Sequence, residues 1–163
     1  AVAPRPASAG GLHGTTRAPL RYDGASHWIR PLRMWLGEVE AVVGCCGSAL
    51  ARMAGVSMSQ HLLRFRSGQV AIFESMLAPS GIADQPFFRL QGTLGELVLD
   101  GFGGGCTLHT LDADGTKVAR EVCREGWDAG YAGEYADFAA AVLDGAPTAG
   151  PLSEALADLR VVR

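Results

Sequence analysis

Apolar residues recur at helical spacing along the segment from Asp23 to Leu36. Laid out at about 100° per residue, Ala25, Trp28, Ile29, Leu32, Trp35 and Leu36 gather on one face, while Asp23, His27, Arg30 and Met34 gather on the other. The pattern predicts an amphipathic helix ended by Gly37, its apolar face on the core and its polar strip turned away from it. Pro31 lacks a backbone donor and leaves two readings of the start. Either the helix runs through it, or the regular helix begins at Arg30 with Asp23 and His27 on the preceding turn.

From Glu38 the period changes to two and turn residues appear at short intervals, as in an antiparallel meander. Strands are predicted over Val39 to Cys45, Met58 to Arg66, Gln69 to Leu77, Phe87 to Gln91, Glu96 to Asp100, Cys106 to Leu111 and Thr116 to Cys123. Ser67-Gly68 reads as a two-residue hairpin turn, and Asp112 to Gly115 as another tight connection. Helix returns at Tyr131, where Tyr131, Tyr135, Phe138 and Val142 form one apolar stripe, and Gly145 with Pro147 stops it. A last helix carries Leu152, Leu156, Leu159 and Val162. This order predicts an α+β fold: an open, mainly antiparallel sheet of about six strands with helices on one face. Residues 1–20 are rich in Ala, Pro and Gly without period and read as a mobile or remnant segment, leaving 21–163 as the folded domain.

Composition narrows the classes. With 163 residues, 48% hydrophobic and 19% charged, the chain can bury one full-sized core. A formal net charge of -3 without a basic cluster argues against a nucleic-acid partner. No apolar run approaches the roughly 18 residues that would cross a membrane. The N-terminal AVAPRPASAGGLHG lacks the charged start and apolar stretch of a signal peptide, so a cytoplasmic location is expected. Cys45, Cys46, Cys106 and Cys123 form no metal-binding spacing and read as buried thiols. The chain starts at Ala1 rather than Met and stops just after a helical pattern, as a piece of a longer protein would.

The remaining chemistry is sparse. GFGGGC, Gly101 to Cys106, would need its third fingerprint glycine where Cys106 stands and a helix afterwards. A strand pattern follows instead, so the segment reads as a glycine-rich turn and no cofactor site is visible in the chain. His13, His61 and His109 lack a nearby acid, and His61 and His109 sit in strand patterns. Ser26 and Ser67 have no nucleophile-elbow context, which leaves a hydrolase unsupported. Asp23 and His27 stand at i, i+4, where a carboxylate can fix the tautomer of an imidazole and raise the basicity of its other nitrogen. The same spacing also suits a helix cap beside a solvated His27 and Arg30. Spacing alone leaves both open.

The segment DGASHWIRPLRMWLGEVEAV resembles the opening of the C-terminal domain in the glucose-fructose oxidoreductase, inositol dehydrogenase and MocA family, with its Asp-x-x-x-His motif. The likeness continues in order through LLRFRSGQVAIFES, LQGTLGELVLD, GYAGEYADFAAAVLDGAPTAG and LSEALADLRVV. It implies a domain that follows a Rossmann domain, absent from this chain, and closes over a nicotinamide. It further implies that Asp23 and His27 lie beside a sugar, polyol or related alcohol or carbonyl substrate, with His27 moving the hydroxyl proton. NAD or NADP would be the cofactor of the full-length parent, and a homo-oligomer would form through the sheet face. Without its cofactor half the chain is not expected to hold a nicotinamide tightly or to turn over. Many relatives carry an acid where this chain has Arg30. That change implies a substrate-binding Arg30 and a carboxylate-bearing substrate, or an ion pair with Asp23. The rival is a non-enzymatic binding or dimerisation module that has lost its cofactor domain.

Overall fold

The computed structural model describes residues 20–48, 56–76, 87–100 and 104–162. Three helices and seven strands occur among them: α1 Leu20–Leu36, β1 Val39–Gly47, β2 Met58–Phe65, β3 Val70–Met76, β4 Phe88–Gln91, β5 Glu96–Leu99, β6 Gly105–Leu111, β7 Lys117–Arg124, α2 Trp127–Asp144 and α3 Leu152–Val161. All strand pairing is antiparallel, so the α+β class holds. The strands form two ladders rather than one, in the orders β1-β2-β3 and β4-β5-β6-β7. They belong to two compact units, one comprising residues 1–77 with 155–163 and the other residues 78–154. The predicted N-terminal segment, His13 and the tip Gly101 to Gly103 lie outside the described residues.

In the first unit, α1 runs unbroken through Pro31 and starts well before it, which decides between the two readings of its start. The fixed φ of proline suits a helix, although Pro31 offers no N–H to the His27 carbonyl one turn earlier. Gly37 ends α1 at φ 89, its N–H donating to the Arg33 carbonyl at 2.9 Å, a left-handed cap that a side chain would strain. Ser67 Oγ donates to the Leu36 carbonyl at 2.7 Å and ties that end to the β2–β3 connection. The connection is the four-residue Arg66-Ser67-Gly68-Gln69, with Gly68 N donating to the Phe65 carbonyl, two residues longer than predicted.

Ala25, Ile29 and Leu32 of α1 are buried together with Leu63, Phe65 and Phe73 of the sheet and form this unit's core. Alternation along β2 makes the pattern: Ser59, Leu63 and Phe65 are buried, whereas Gln60, Leu62 and Arg64 face outward. In the middle of the sheet His61 lies opposite Phe73 and stacks on it, ring centroids 6.1 Å apart, as expected of a sheet histidine. One assignment fails on the helix. Trp35, placed on the core face, is exposed, because it lies at the end of that face in the last turn of α1.

The second unit is a four-strand meander followed by α2. One sheet face carries Phe88, Leu90, Leu97, Leu99 and Leu108, and the other carries Arg89, Gln91, Glu96 and His109. Arg89 reaches diagonally to Glu96, with Nη2 to Oε2 at 3.2 Å, and Gln91 Nε2 donates to the same oxygen at 3.3 Å. Hydrogen bonding from Arg89, then from Gln91, holds the Glu96 carboxyl below its ordinary range. Gly104 takes φ 74 where a Cβ would stand 1.9 Å from the Glu125 carbonyl oxygen, so only glycine fits. The chain then enters β6 directly. No described residue of this unit is buried, and the stripe Tyr131, Tyr135, Phe138 and Val142 is exposed along α2.

The cysteine assignment is also corrected. Cys45, Cys46 and Cys123 are exposed and Cys106 is half-buried. Cys45 and Cys46 lie on β1 and Cys123 on β7, strands that end their ladders among the described residues. Burial, with the neighbouring Cys123 and Asp100, pushes the Cys106 thiol up. Among the described residues no group of three metal-ligating side chains occurs, and no helix is long and apolar enough to cross a membrane.

Candidate functional site

The polar strip of α1 is where the first unit opens. Ser26, His27, Arg30 and Pro31 of α1, with Ala155, Asp158 and Leu159 of α3, line a cleft of about 390 Å³. His27 is exposed at its edge, and Arg30 is half-buried in its wall. Asp23 falls in α1 one turn before His27, and its side chain lies outside the described residues. The strip does turn from the Ile29 and Leu32 core, but α3 lies along part of it, which the helical layout of α1 alone could not show.

The opposite wall is fixed by charge. Arg33 and Asp158 are 6% and 5% exposed, and the Arg33 guanidinium donates through Nη1 to Asp158 Oδ1. Through Nη2 it donates to Glu38 Oε1 at 2.6 Å. Burial works against the Arg33 charge, but the hydrogen bonds to Asp158 and Glu38 outweigh it and hold its pKa above the ordinary arginine value. Two carboxylates therefore keep one cation under the cleft. The helix α3 is anchored to α1 there.

Sequence reasoning found His27 and Arg30 and missed Asp158, Leu159 and Arg33. A signal existed for Asp158: with Ala155, Leu159 and Val162 it occupies i, i+3, i+4 and i+7 positions, an acid inside the apolar stripe of α3. Such a residue needs a buried partner. Chemically, the cleft offers an imidazole able to give or take a proton, a guanidinium that donates in a planar fork, and a carboxylate that only accepts. Of the glycine segment, Gly104 and Gly105 are described: Gly104 packs on the Glu125 backbone and Gly105 opens β6 beside the Asp100 side chain.

The polar cleft is thus carried by two helices, α1 and α3, of an α+β fold. Residues 14–163 match the oxidoreductase family, C-terminal alpha/beta domain. The chain belongs to the glucose-fructose oxidoreductase, inositol dehydrogenase and MocA family, and the matched region is that family's C-terminal domain. Among solved structures it is similar to an oxidoreductase of Thermotoga maritima at 23% identity and TM-score 0.67, covering 86% of this chain and 39% of that one. An oxidoreductase of Bacillus cereus aligns at 14% identity and TM-score 0.71, covering 97% and 50%. An oxidoreductase of Agrobacterium radiobacter, solved in complex with NAD+, L-tartaric acid and magnesium, aligns at 16% identity and TM-score 0.69, covering 86% and 44%. The chain thus spans about half the length of the structures it matches or less. Comparison with curated proteins gives no match.

Proposed function

We propose that this chain is the substrate-binding and oligomerisation domain of an NAD(P)-dependent oxidoreductase that acts on a sugar, polyol or related alcohol or carbonyl. The observation that carries the reading is the cleft itself, in which His27 and Arg30, drawn from the Asp-x-x-x-His segment, share one opening with Asp158. Family membership supplies the reaction class. The Agrobacterium radiobacter relative, solved with NAD+ and a hydroxy acid, supports both the cofactor and the kind of ligand.

In this reading a Rossmann domain outside the chain holds the nicotinamide, which accepts or supplies the hydride. The residues of this chain do the rest. His27, at the edge of the cleft, exchanges the proton of the reacting hydroxyl as general base or acid. Asp23, one helical turn earlier, orients it, and Arg30 binds the substrate. Pro31, Ala155 and Leu159 give the cleft an apolar wall.

The outward face of the β1-β2-β3 sheet supports the oligomer. Val43, Leu62 and Ile72 form a cross-strand apolar row there, and Ile72 is 79% exposed. Ile72→Glu in the full-length protein is expected to leave folding intact and to shift the sedimentation profile to a smaller species. An unchanged profile would remove this face from the interface.

The activity is tested on the full-length protein by following nicotinamide reduction, with NAD and NADP, across sugars, polyols and hydroxy acids. Turnover with at least one class is expected. A coding frame upstream of Ala1 should carry a glycine fingerprint and a Glu-Lys-Pro motif. No turnover, with a start codon close to Ala1, would favour the binding module.

A further inference from the structure

One pair among the four cysteines is placed for chemistry between thiols. Cys106 of β6 and Cys123 of β7 stand directly opposite each other in their antiparallel ladder, so both side chains leave the sheet on the same face. Opposite residues in such a ladder have Cα atoms about 4.5–5.5 Å apart, inside the range of about 4.4–6.8 Å that a disulfide spans. Both are free thiols, Cys123 exposed and Cys106 half-buried. Cys45 and Cys46 are placed differently. Consecutive on β1, they point to opposite faces, and they stand opposite Gln60 and Ser59.

The pair also sits where a link has most to hold. The far end of the β6–β7 hairpin is closed by its turn, in which Asp112 Oδ1 accepts from the Asp114 and Thr116 N–H groups at 3.0 and 2.9 Å. At the other end the ladder is irregular: Thr107 lies opposite Glu121, and Val122 is left over as a bulge beside Cys123. Beyond Glu125, whose N–H donates to the Gly104 carbonyl at 3.1 Å, the chain turns at Gly126 into α2. We propose that Cys106 and Cys123 form a reversible disulfide by exchange with a small-molecule disulfide such as oxidised glutathione, and that this link staples the open end of the hairpin.

The exposed Cys123 is the thiol that an incoming disulfide reaches. Its thiolate attacks one glutathione sulfur, the sulfur–sulfur bond of the oxidant breaks, and one glutathione thiolate leaves and takes up the proton that Cys123 gave to water. Cys106 then gives up its proton and attacks the Cys123 sulfur of the mixed disulfide, expelling the second glutathione, which is protonated in turn. Two protein thiols are oxidised to one disulfide and one glutathione disulfide is reduced to two thiols. Burial, then the neighbouring Cys123 and Asp100, push the Cys106 thiol up and keep it protonated towards outside oxidants, which suits the resolving member of the pair.

The test equilibrates the full-length protein in glutathione buffers of increasing oxidised fraction, blocks the remaining thiols by alkylation and maps the peptides without reduction. A peptide linking Cys106 to Cys123, lighter by two hydrogens and split by dithiothreitol, is expected. Cys106→Ser should stop at the mixed disulfide, with one glutathione on Cys123, and Cys123→Ser should leave Cys106 unmodified in the same buffer. In the linked protein, amide hydrogen exchange at the β7 end nearest α2 should slow by about tenfold or more, as local opening is restrained. Both thiols still open to alkylation at the highest oxidised fraction, or a wild-type protein that stops at glutathione on Cys123, would overturn the pair. Unchanged exchange in the linked protein would overturn the staple.

Discussion

Replacing His27 with alanine in the full-length enzyme is expected to lower kcat by about a hundredfold or more, the loss typical of a positioned proton-transfer group. His27 is exposed, so stability should change by no more than about 0.5 kcal/mol. The two effects therefore separate cleanly. Substrate affinity should change little in comparison, because the substrate-binding group proposed above is Arg30. Steady-state kinetics, with urea unfolding as the control, checks this. An unchanged kcat would remove His27 from the proton transfer.

Arg33→Met should produce the largest loss of stability. It leaves the Asp158 carboxylate in the protein without its cation, and breaking a buried pair in this way costs about 3–5 kcal/mol. The double variant Arg33→Met with Asp158→Leu should recover most of it, since two apolar groups of similar size need no partner. The denaturation midpoint measured in urea distinguishes these outcomes. A loss below about 1 kcal/mol would mean that water reaches the pair.

Much of the fold was legible because its signals are local. Alternation located all seven strands to within one or two residues at each end, and Gly37 and Gly145 marked the ends of α1 and α2. Other features depend on distant neighbours. Arg33 reads as an ordinary cation near a helix end, yet its buried partner stands 125 residues away in sequence. The cysteines look like core residues, but strand order puts β1 and β7 at the ends of their ladders among the described residues. The stripe on α2 has correct helical spacing without being buried, because spacing fixes a face and not what covers it.

The site divides along the same line. His27 and Arg30 were found on one face of α1 from spacing alone, but spacing could not separate a capped helix from half of an active site. The helix α3 brings Asp158 and Leu159 to that face, which spacing along α1 could not show. The succession of motifs from Asp23 to the last helix pointed to the family, and residues 14–163 match it.

The most direct measurement is a crystal structure of the full-length enzyme with its nicotinamide cofactor and an oxidisable substrate. The reacting hydroxyl should lie between α1 and α3, within hydrogen-bond reach of His27, at about 2.6–3.2 Å. A substrate bound on the nicotinamide with its reacting hydroxyl turned away from His27, and the cleft left to solvent, would contradict the assignment.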